Sequence, residues 1–394
     1  MSITIYGPQG YKNFIHRAES RLKVGSNLNI QQVPNGIIAV DEEDIHSFGV
    51  FDSHGKFIKQ SLMTHGNGQC LPKHWRGKKM QNFDIDVVYL GNLNESEFGH
   101  FMLEQLSRAF PMLLDKYKNT TALFIGKPPI PNFATQLIDL LNIEKMMVLD
   151  ESAQFKNVFV PAQAFRLDRF SSQEMGNTYR CIADSVSEGY GFDKIYLSRA
   201  ALTYRKTLGE EKIQNIFAKN GYHIVYPEKL LVKEQIAYVK NAKFLAGIGG
   251  TALHWALCMP SGGTVIQIKR NKLLKDNFEN QYLINKTKGL NSVFISGSLE
   301  IQKTKHCTEP PQIIGVTPYM KQFFDENGFV YDSSDLEFDA EAWNDYRRTL
   351  DAYIQQNGSL RYAKIKSLFI KIVACIIPYR QPRRHFRAWL QKVL

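Results

Sequence analysis

The stretch Gly247–Ile268, GIGGTALHWALCMPSGGTVIQI, constrains the fold of this chain more than any other. An apolar lead-in, Phe244–Ala246, runs into Gly247, Gly249 and Gly250, and a helix-like run, Thr251–Met259, follows. Pro260-Ser261-Gly262-Gly263 then turns into a new strand, Thr264–Ile268. Strand, glycine turn, helix and strand in that order are how a parallel α/β sheet opens a ligand crevice. Glycines let the backbone come close to a ligand. A helix start presents free N–H groups and the positive end of its dipole, which suits phosphate or another anion.

The same rhythm extends over most of the chain. Ser2–Tyr6, Gly36–Val40, Phe48–Phe51, Asp84–Leu90, Ala122–Ile125, Met146–Leu149 and Asn157–Val160 read as strands. Ser96–Asp115 carries apolar residues at helical spacing, with Pro111 placed to bend it, and Phe133–Leu141 reads as a helix. A linking helix, Gln173–Glu188, precedes a second series. Its strands are Lys194–Ser198, Tyr222–Tyr226, Ala242–Ala246, Thr264–Ile268 and Ser292–Ile295. Its helices are Glu210–Asn220, ended by Gly221, then Leu231–Val239 and Phe278–Thr287. The 394 residues exceed what one hydrophobic core usually serves. The expectation is an α/β protein of two Rossmann-like domains facing a cleft, with a parallel sheet in each half and a border between residues 165 and 190. The units are 1–170, 171–300, an irregular segment and closing helix over 301–358, and a tail over 359–394.

Charge sets that tail apart. Between Ala352 and Leu394 there are nine Lys or Arg and no Asp or Glu, so these residues carry nine of the net +11 and the rest of the chain carries +2. Lys364, Lys366 and Lys371 interrupt an apolar run that Pro378 stops, and five more cations surround Phe386, Trp389 and Leu390. This pattern predicts a basic amphipathic extension that meets anionic lipid, so the anionic membrane surface is an expected partner and nucleic acid is not. The alternative is a helix folded back on the body. No apolar run reaches the length of a membrane span, and Met1–Arg21 does not read as a secretory leader. Five dispersed cysteines form no CxxC pair, which fits a reducing compartment and no structural metal.

Three blocks resemble the catalytic region of glycosyltransferase family 61, including bacterial members linked to capsule or other surface polysaccharide synthesis. They are Gly91–Arg108 (GNLNESEFGHFMLEQLSR), Lys194–Ile213 (KIYLSRAALTYRKTLGEEKI) and Gly221–Ile268. Three positions depart from the family's usual pattern. Gly249-Gly250 stands where His-Gly is frequent, Gln267 where Glu is frequent, and Trp255 where Asn is frequent. The resemblance implies a GT-B-like pair of domains, a nucleotide-sugar donor in the C-terminal half and an inverting hexosyl or pentosyl transfer. UDP-sugar is preferred over GDP- or CDP-sugar, with no metal or other cofactor.

Such a transfer needs a base for the acceptor hydroxyl and groups that stabilise a departing diphosphate. Gly249, Gly250 and Thr251 supply the turn and helix start. Arg199 follows a predicted strand end, and Arg205 is close enough in sequence to clamp a second phosphate. Glu228, after Pro227, and Gln235 are candidates for the nucleoside. His100 and Glu104 are four apart and share a helical face, with Arg108 four further on. Either His100 or Glu104 can serve as base, and Glu95 is a further catalytic candidate. Asn94, Arg108 and His254 are expected in the acceptor side of the cleft. The acceptor is a growing, lipid-linked surface glycan, and the expected location is the cytoplasmic face of the inner membrane. Two other functions stay open: a dinucleotide-dependent oxidoreductase, although no GxGxxG is present, and a non-catalytic glycan- or nucleotide-binding protein that keeps the fold.

Overall fold

A computed structural model describes residues 1–41, 44–62, 64–65, 68–69, 80–202, 207–271, 278–300 and 311–357. Two large sheets organise them. One has six strands, all parallel, in the spatial order Ile3–Tyr6, Asn291–Ser296, Thr264–Lys269, Phe244–Ile248, Lys194–Leu197, His223–Val225. From Lys194–Leu197 the chain moves outward to His223–Val225, then returns to the other side with Phe244–Ile248 and continues away. The direction of winding therefore reverses between Lys194–Leu197 and Phe244–Ile248. In an open parallel sheet this reversal leaves a crevice beyond the carboxyl ends of those two strands.

The first strand of the chain belongs to this six-stranded sheet, the second sheet in that its other strands come from the second half. Ile3–Tyr6 pairs in parallel with Asn291–Ser296, and the following helix, Gln9–Arg21, buries Tyr11, Ile15 and Ala18. Arg21 forms an ion pair with Glu279, and Lys286 Nζ donates to Leu22 O at 3.1 Å. Sheet membership thus differs from the expected unit of residues 1–170. Short-range pattern gave the strand, but the partner lies almost 300 residues away.

The other sheet is mixed. Met146–Leu149, Thr121–Ile125, Gln81–Asn92 and Ala153–Pro161 are parallel neighbours. Ile30–Pro34 and Ile37–Asp41 pair antiparallel with Ala153–Pro161, and Asp44–Phe51 pairs antiparallel with Ile37–Asp41. The expectation of a fully parallel first sheet fails here for a simple reason. Ile37–Asp41 and Asp44–Phe51 are separated by only two residues, and a parallel crossover needs a dozen or more; Ile30–Pro34 and Ile37–Asp41 run in one register along the same edge of Ala153–Pro161, as one interrupted strand. Asn35, with φ of 48°, sits in that interruption in the left-handed conformation, and its amide still donates to Lys156 O at 2.8 Å.

The two halves share a core beneath the crevice. One continuous cluster includes Val88, Phe101, Leu106 and Phe124 from the first half and Leu197, Leu245, Trp255 and Leu283 from the second. Helix Gln173–Asp184 bridges them: its Tyr179 hydroxyl donates to Met102 O at 2.8 Å. The structure therefore has a seam with a buried floor beneath the strand ends.

Candidate active site at the strand-end crevice

Arg199 leaves the end of Lys194–Leu197, and Gly249–Thr251 leaves the end of Phe244–Ile248. They meet across the crevice: a methyl on Gly250 would lie 3.0 Å from Arg199 Nη1. The glycines of this turn are required for space. Gly250 has an extended backbone, which any residue adopts, but a methyl on Gly247 would lie 2.8 Å from Leu197 O. One on Gly249 would lie 2.8 Å from Gln267 Nε2, so a larger residue at 249 requires the end of the Gln267 side chain to shift. The run that follows, Thr251–Cys258, is a 3-10 helix. Trp255 is fully buried in it and donates to Gln235 Oε1 at 2.7 Å.

A buried carboxyl fixes Arg199. Both oxygens of Glu210 accept from the Arg199 amide at 3.1 Å, and the Tyr196 hydroxyl donates to it at 3.2 Å. Burial pushes the Glu210 carboxyl up to about 7, opposed by the Arg199 amide, the Tyr196 hydroxyl and the Arg199 charge.

The opposite wall comes from the first half. The expected helix Ser96–Asp115 is broken into a short α turn Phe98–His100, a π segment Phe101–Gln105, and 3-10 turns Leu106–Arg108 and Phe110–Leu113. It is buried nearly all round, so packing overrides the regular helical period. The end of the strand Gln81–Asn92 presses on it. A methyl on Gly91 would lie 2.5 Å from Gln105 O, and Gln105 Oε1 accepts from the Asn92 amide at 2.9 Å. A π segment of this kind frequently re-aims functional side chains. Here His100 Nδ1 lies 2.6 Å from Glu104 Oε2, and Nε2 lies 3.7 Å from Glu97 Oε2. Side-chain exposure separates the pair: His100 is 27% exposed and Glu104 is 1%.

The walls touch at Gly99, where a methyl would lie 2.2 Å from Thr251 Cγ2. Two cavities open on either side of this contact, and both are lined by Arg199 and Thr251. The polar one, of about 240 Å³, is lined also by His100, Glu97, Gly250, His254, Arg270 and Asn280. The other, of about 420 Å³, is more apolar, with Phe98, Phe133, Leu231 and Pro227 beside Glu228, Gln136 and Gln235. Phe98 and Phe133 meet edge to face, with ring centroids 5.3 Å apart.

The crevice thus gathers His100, Arg199, Gly250, Thr251 and His254 in one lobe, and Glu228 and Gln235 in the other. Glu104 stands directly behind His100. His254 is buried, approaches Gln281 Oε1 at 3.2 Å, and is held down to about 4 by burial and the nearby His100, so it is neutral at pH 7. Gln235 lines its lobe with both amide ends engaged, by Trp255 and by Leu230 O. Besides Glu104, four expected site residues among those described line neither lobe: Gly249, which packs against Gln267, and three others. Glu95 is turned inward and accepts from the Glu97 amide at 2.9 Å. Asn94 holds the 127–129 loop through Lys127 N, Lys127 O and Pro129 O. Arg108 is fully buried and donates to the carbonyls of Pro161, Gln60 and Leu62. Helical spacing put Arg108 on the face of His100, but the π and 3-10 segments rotate it away. Arg205 and residues 359–394 lie outside the described residues.

Sequence reasoning missed Arg270, Asn280, Phe98 and Phe133. Arg270 was readable, because it follows the strand Thr264–Lys269 as Arg199 follows Lys194–Leu197. Asn280 was not, since it sits in a helix buried along its whole length, where no polar face marks it. Among the described residues no group of three or more His, Cys, Asp or Glu is placed to hold a metal ion. None of their helices is long and apolar enough to cross a membrane.

The family model for glycosyltransferase 61 matches residues 98–266 of the chain. The matched stretch begins two residues before His100, takes in Arg199 and the glycine turn, and ends before Arg270 and Asn280. It supports a glycosyltransferase, and with it a nucleotide-sugar donor and a glycan acceptor. No curated protein matches the chain.

Proposed function

We propose that the chain is an inverting glycosyltransferase of GT-B-like design that binds its nucleotide-sugar across the Gly99–Thr251 contact. The observation that carries this reading is the placement of the His100–Glu104 pair opposite Arg199 and the glycine turn, in one cavity at the winding reversal of a parallel sheet. The nucleoside enters the larger lobe. There Phe98, Phe133 and Leu231 give its base an apolar surface, and Glu228 accepts from ribose hydroxyls. The diphosphate lies over Gly250 and the amides of Thr251 and Ala252, clamped by Arg199. The sugar then projects into the polar lobe, beside His100 and Arg270.

His100 is the base in this reading, and Glu104 is its orienting partner. The buried carboxylate accepts from Nδ1–H and leaves the Nε2 lone pair for the acceptor. The acceptor oxygen attacks the anomeric carbon from the side opposite the diphosphate. The new C–O bond forms as the sugar–phosphate bond breaks. The proton passes to His100 Nε2 and the electron pair to the diphosphate, whose charge Arg199 and the helix-start amides stabilise. The configuration inverts.

The neutral His254 contributes an N–H or a lone pair and no charge. UDP-sugar is the donor we favour, with the protein's own cation and amides stabilising the leaving group. The acceptor is a surface glycan on a lipid carrier. The basic segment 359–394 would bring the enzyme to an anionic cytoplasmic membrane face, next to such a carrier.

Calorimetry with UDP-, GDP- and CDP-sugars, with NAD as a control, tests the donor. NMR of the product's anomeric centre tests inversion. Binding of NAD with no nucleotide-sugar bound, or retention at the anomeric carbon, would overturn the reading.

A further inference from the structure

A third cavity, of about 840 Å³, lies apart from the two lobes just described. Among the described residues its wall carries Lys56, Lys59, Arg108 and Arg166 against a single carboxylate, Asp52, and the half-buried Phe57 lies beside them. Asp52 is committed to its own turn, where its Oδ1 accepts from the amides of His54 and Lys56. Arg108 is buried and stays charged at neutral pH, since burial lowers it only to about 10. Its charge adds to three cations at the rim, all on exposed residues.

The segment 162–168 is the partition between this cavity and the polar lobe. Ala162 and Arg166 face the large cavity, Leu167 faces the polar lobe, and the Ala164 amide donates to Ser107 O on the His100 helix at 3.0 Å. The nucleoside lobe lies on the other side of that helix's start, at Phe98. The large cavity and the polar lobe are thus neighbours, separated by a single chain segment.

We infer that this cavity is a binding site for an acidic saccharide, the negatively charged stretch of the acceptor glycan. The inference rests on the glycosyltransferase reading for its role, but the site itself is defined by its own chemistry. Cations at the rim pair with carboxylate or phosphate groups, a half-buried aromatic ring packs against sugar C–H bonds, and the volume suits a few sugar rings.

The full-length protein should be titrated with tetragalacturonate, its neutral methyl ester, a phosphorylated oligosaccharide and inorganic polyphosphate, with UDP binding measured in parallel. Tetragalacturonate or the phosphorylated oligosaccharide should bind at least about tenfold more tightly than the ester, and whichever does names the acidic group. The charge reversals Lys56→Glu, Lys59→Glu and Arg166→Glu together should abolish that preference and leave UDP affinity unchanged. Equal binding of acid and ester would overturn the site. So would a preference that survives the triple reversal, which would place the binding on the basic tail. Tightest binding of polyphosphate would also overturn it, by showing a general polyanion surface. Loss of nucleotide-sugar binding would instead sink the transfer reading and leave the saccharide result standing.

Discussion

Gly99→Ala separates the two walls of the crevice with one methyl. The new carbon would lie 2.2 Å from Thr251 Cγ2 and 3.2 Å from Thr251 Cβ, and 3.7 Å from His254 Cδ2. Ordinary van der Waals contact begins near 3.4 Å, so the walls must part by about 1.2 Å unless the threonine side chain can turn away. Overpacking of this kind costs about 1–3 kcal/mol in stability. A displacement near 1 Å between base and donor costs roughly 10²-fold in rate. Gly99→Ala should therefore lose turnover by about that factor. Affinity for the nucleoside diphosphate should fall less than turnover, because Arg199 and the glycine turn both belong to the second half, while Phe98 and Phe133 of the nucleoside lobe move with the other wall.

Thr251→Ser removes the colliding methyl and leaves only the milder contact at 3.2 Å. The double variant Gly99→Ala/Thr251→Ser should regain about tenfold of the lost rate, equivalent to about 1.4 kcal/mol. Initial rates of nucleoside diphosphate release, calorimetric affinity for UDP and urea midpoints for the wild type, both single variants and the double variant complete the cycle. Full turnover in Gly99→Ala, or failure of Thr251→Ser to rescue it at equal stability, would refute a catalytic seam at this contact.

Other outcomes follow from the same geometry. Arg199→Ala should weaken UDP by about 10–100-fold, from the loss of charge-assisted hydrogen bonds, and leave uridine unaffected; equal loss for both ligands would move the diphosphate elsewhere. His100→Ala should lower turnover by about 10²–10⁴-fold with donor affinity kept, and Glu104→Gln should shift the acidic limb of the rate profile; a variant as active as wild type would remove the pair from catalysis. His254 has a folded-state value near 4, below its ordinary 6.5. The unfolded chain therefore takes up the proton first, and stability falls as pH drops from 6.5 to 4, by on the order of 3 kcal/mol from this group. His254→Gln should flatten that part of the urea-midpoint profile, and an unchanged acid slope would show that the histidine is not buried as a neutral ring.

What the sequence determined by itself was local and periodic. Its strand–helix rhythm located the elements of the parallel sheet, and Gly221 ends its helix with φ of 81° as a C-cap glycine should. The glycine turn and Arg199 were both legible because parallel sheets gather ligands at strand ends, so position along the chain already implied position in the fold. Tertiary structure decided what depends on distant contacts. The chain's first strand completed the second sheet. The early strands joined the first sheet antiparallel, through a long-range pairing with Ala153–Pro161 and a two-residue link to Asp44–Phe51. Burial on every side broke the His100 helix into π and 3-10 turns. That last change kept His100 on Glu104 and sent Arg108 into carbonyl contacts on the far side. An i, i+4 spacing predicts a shared face only while the helix stays regular, and a helix with no solvent face takes the shape its neighbours leave for it.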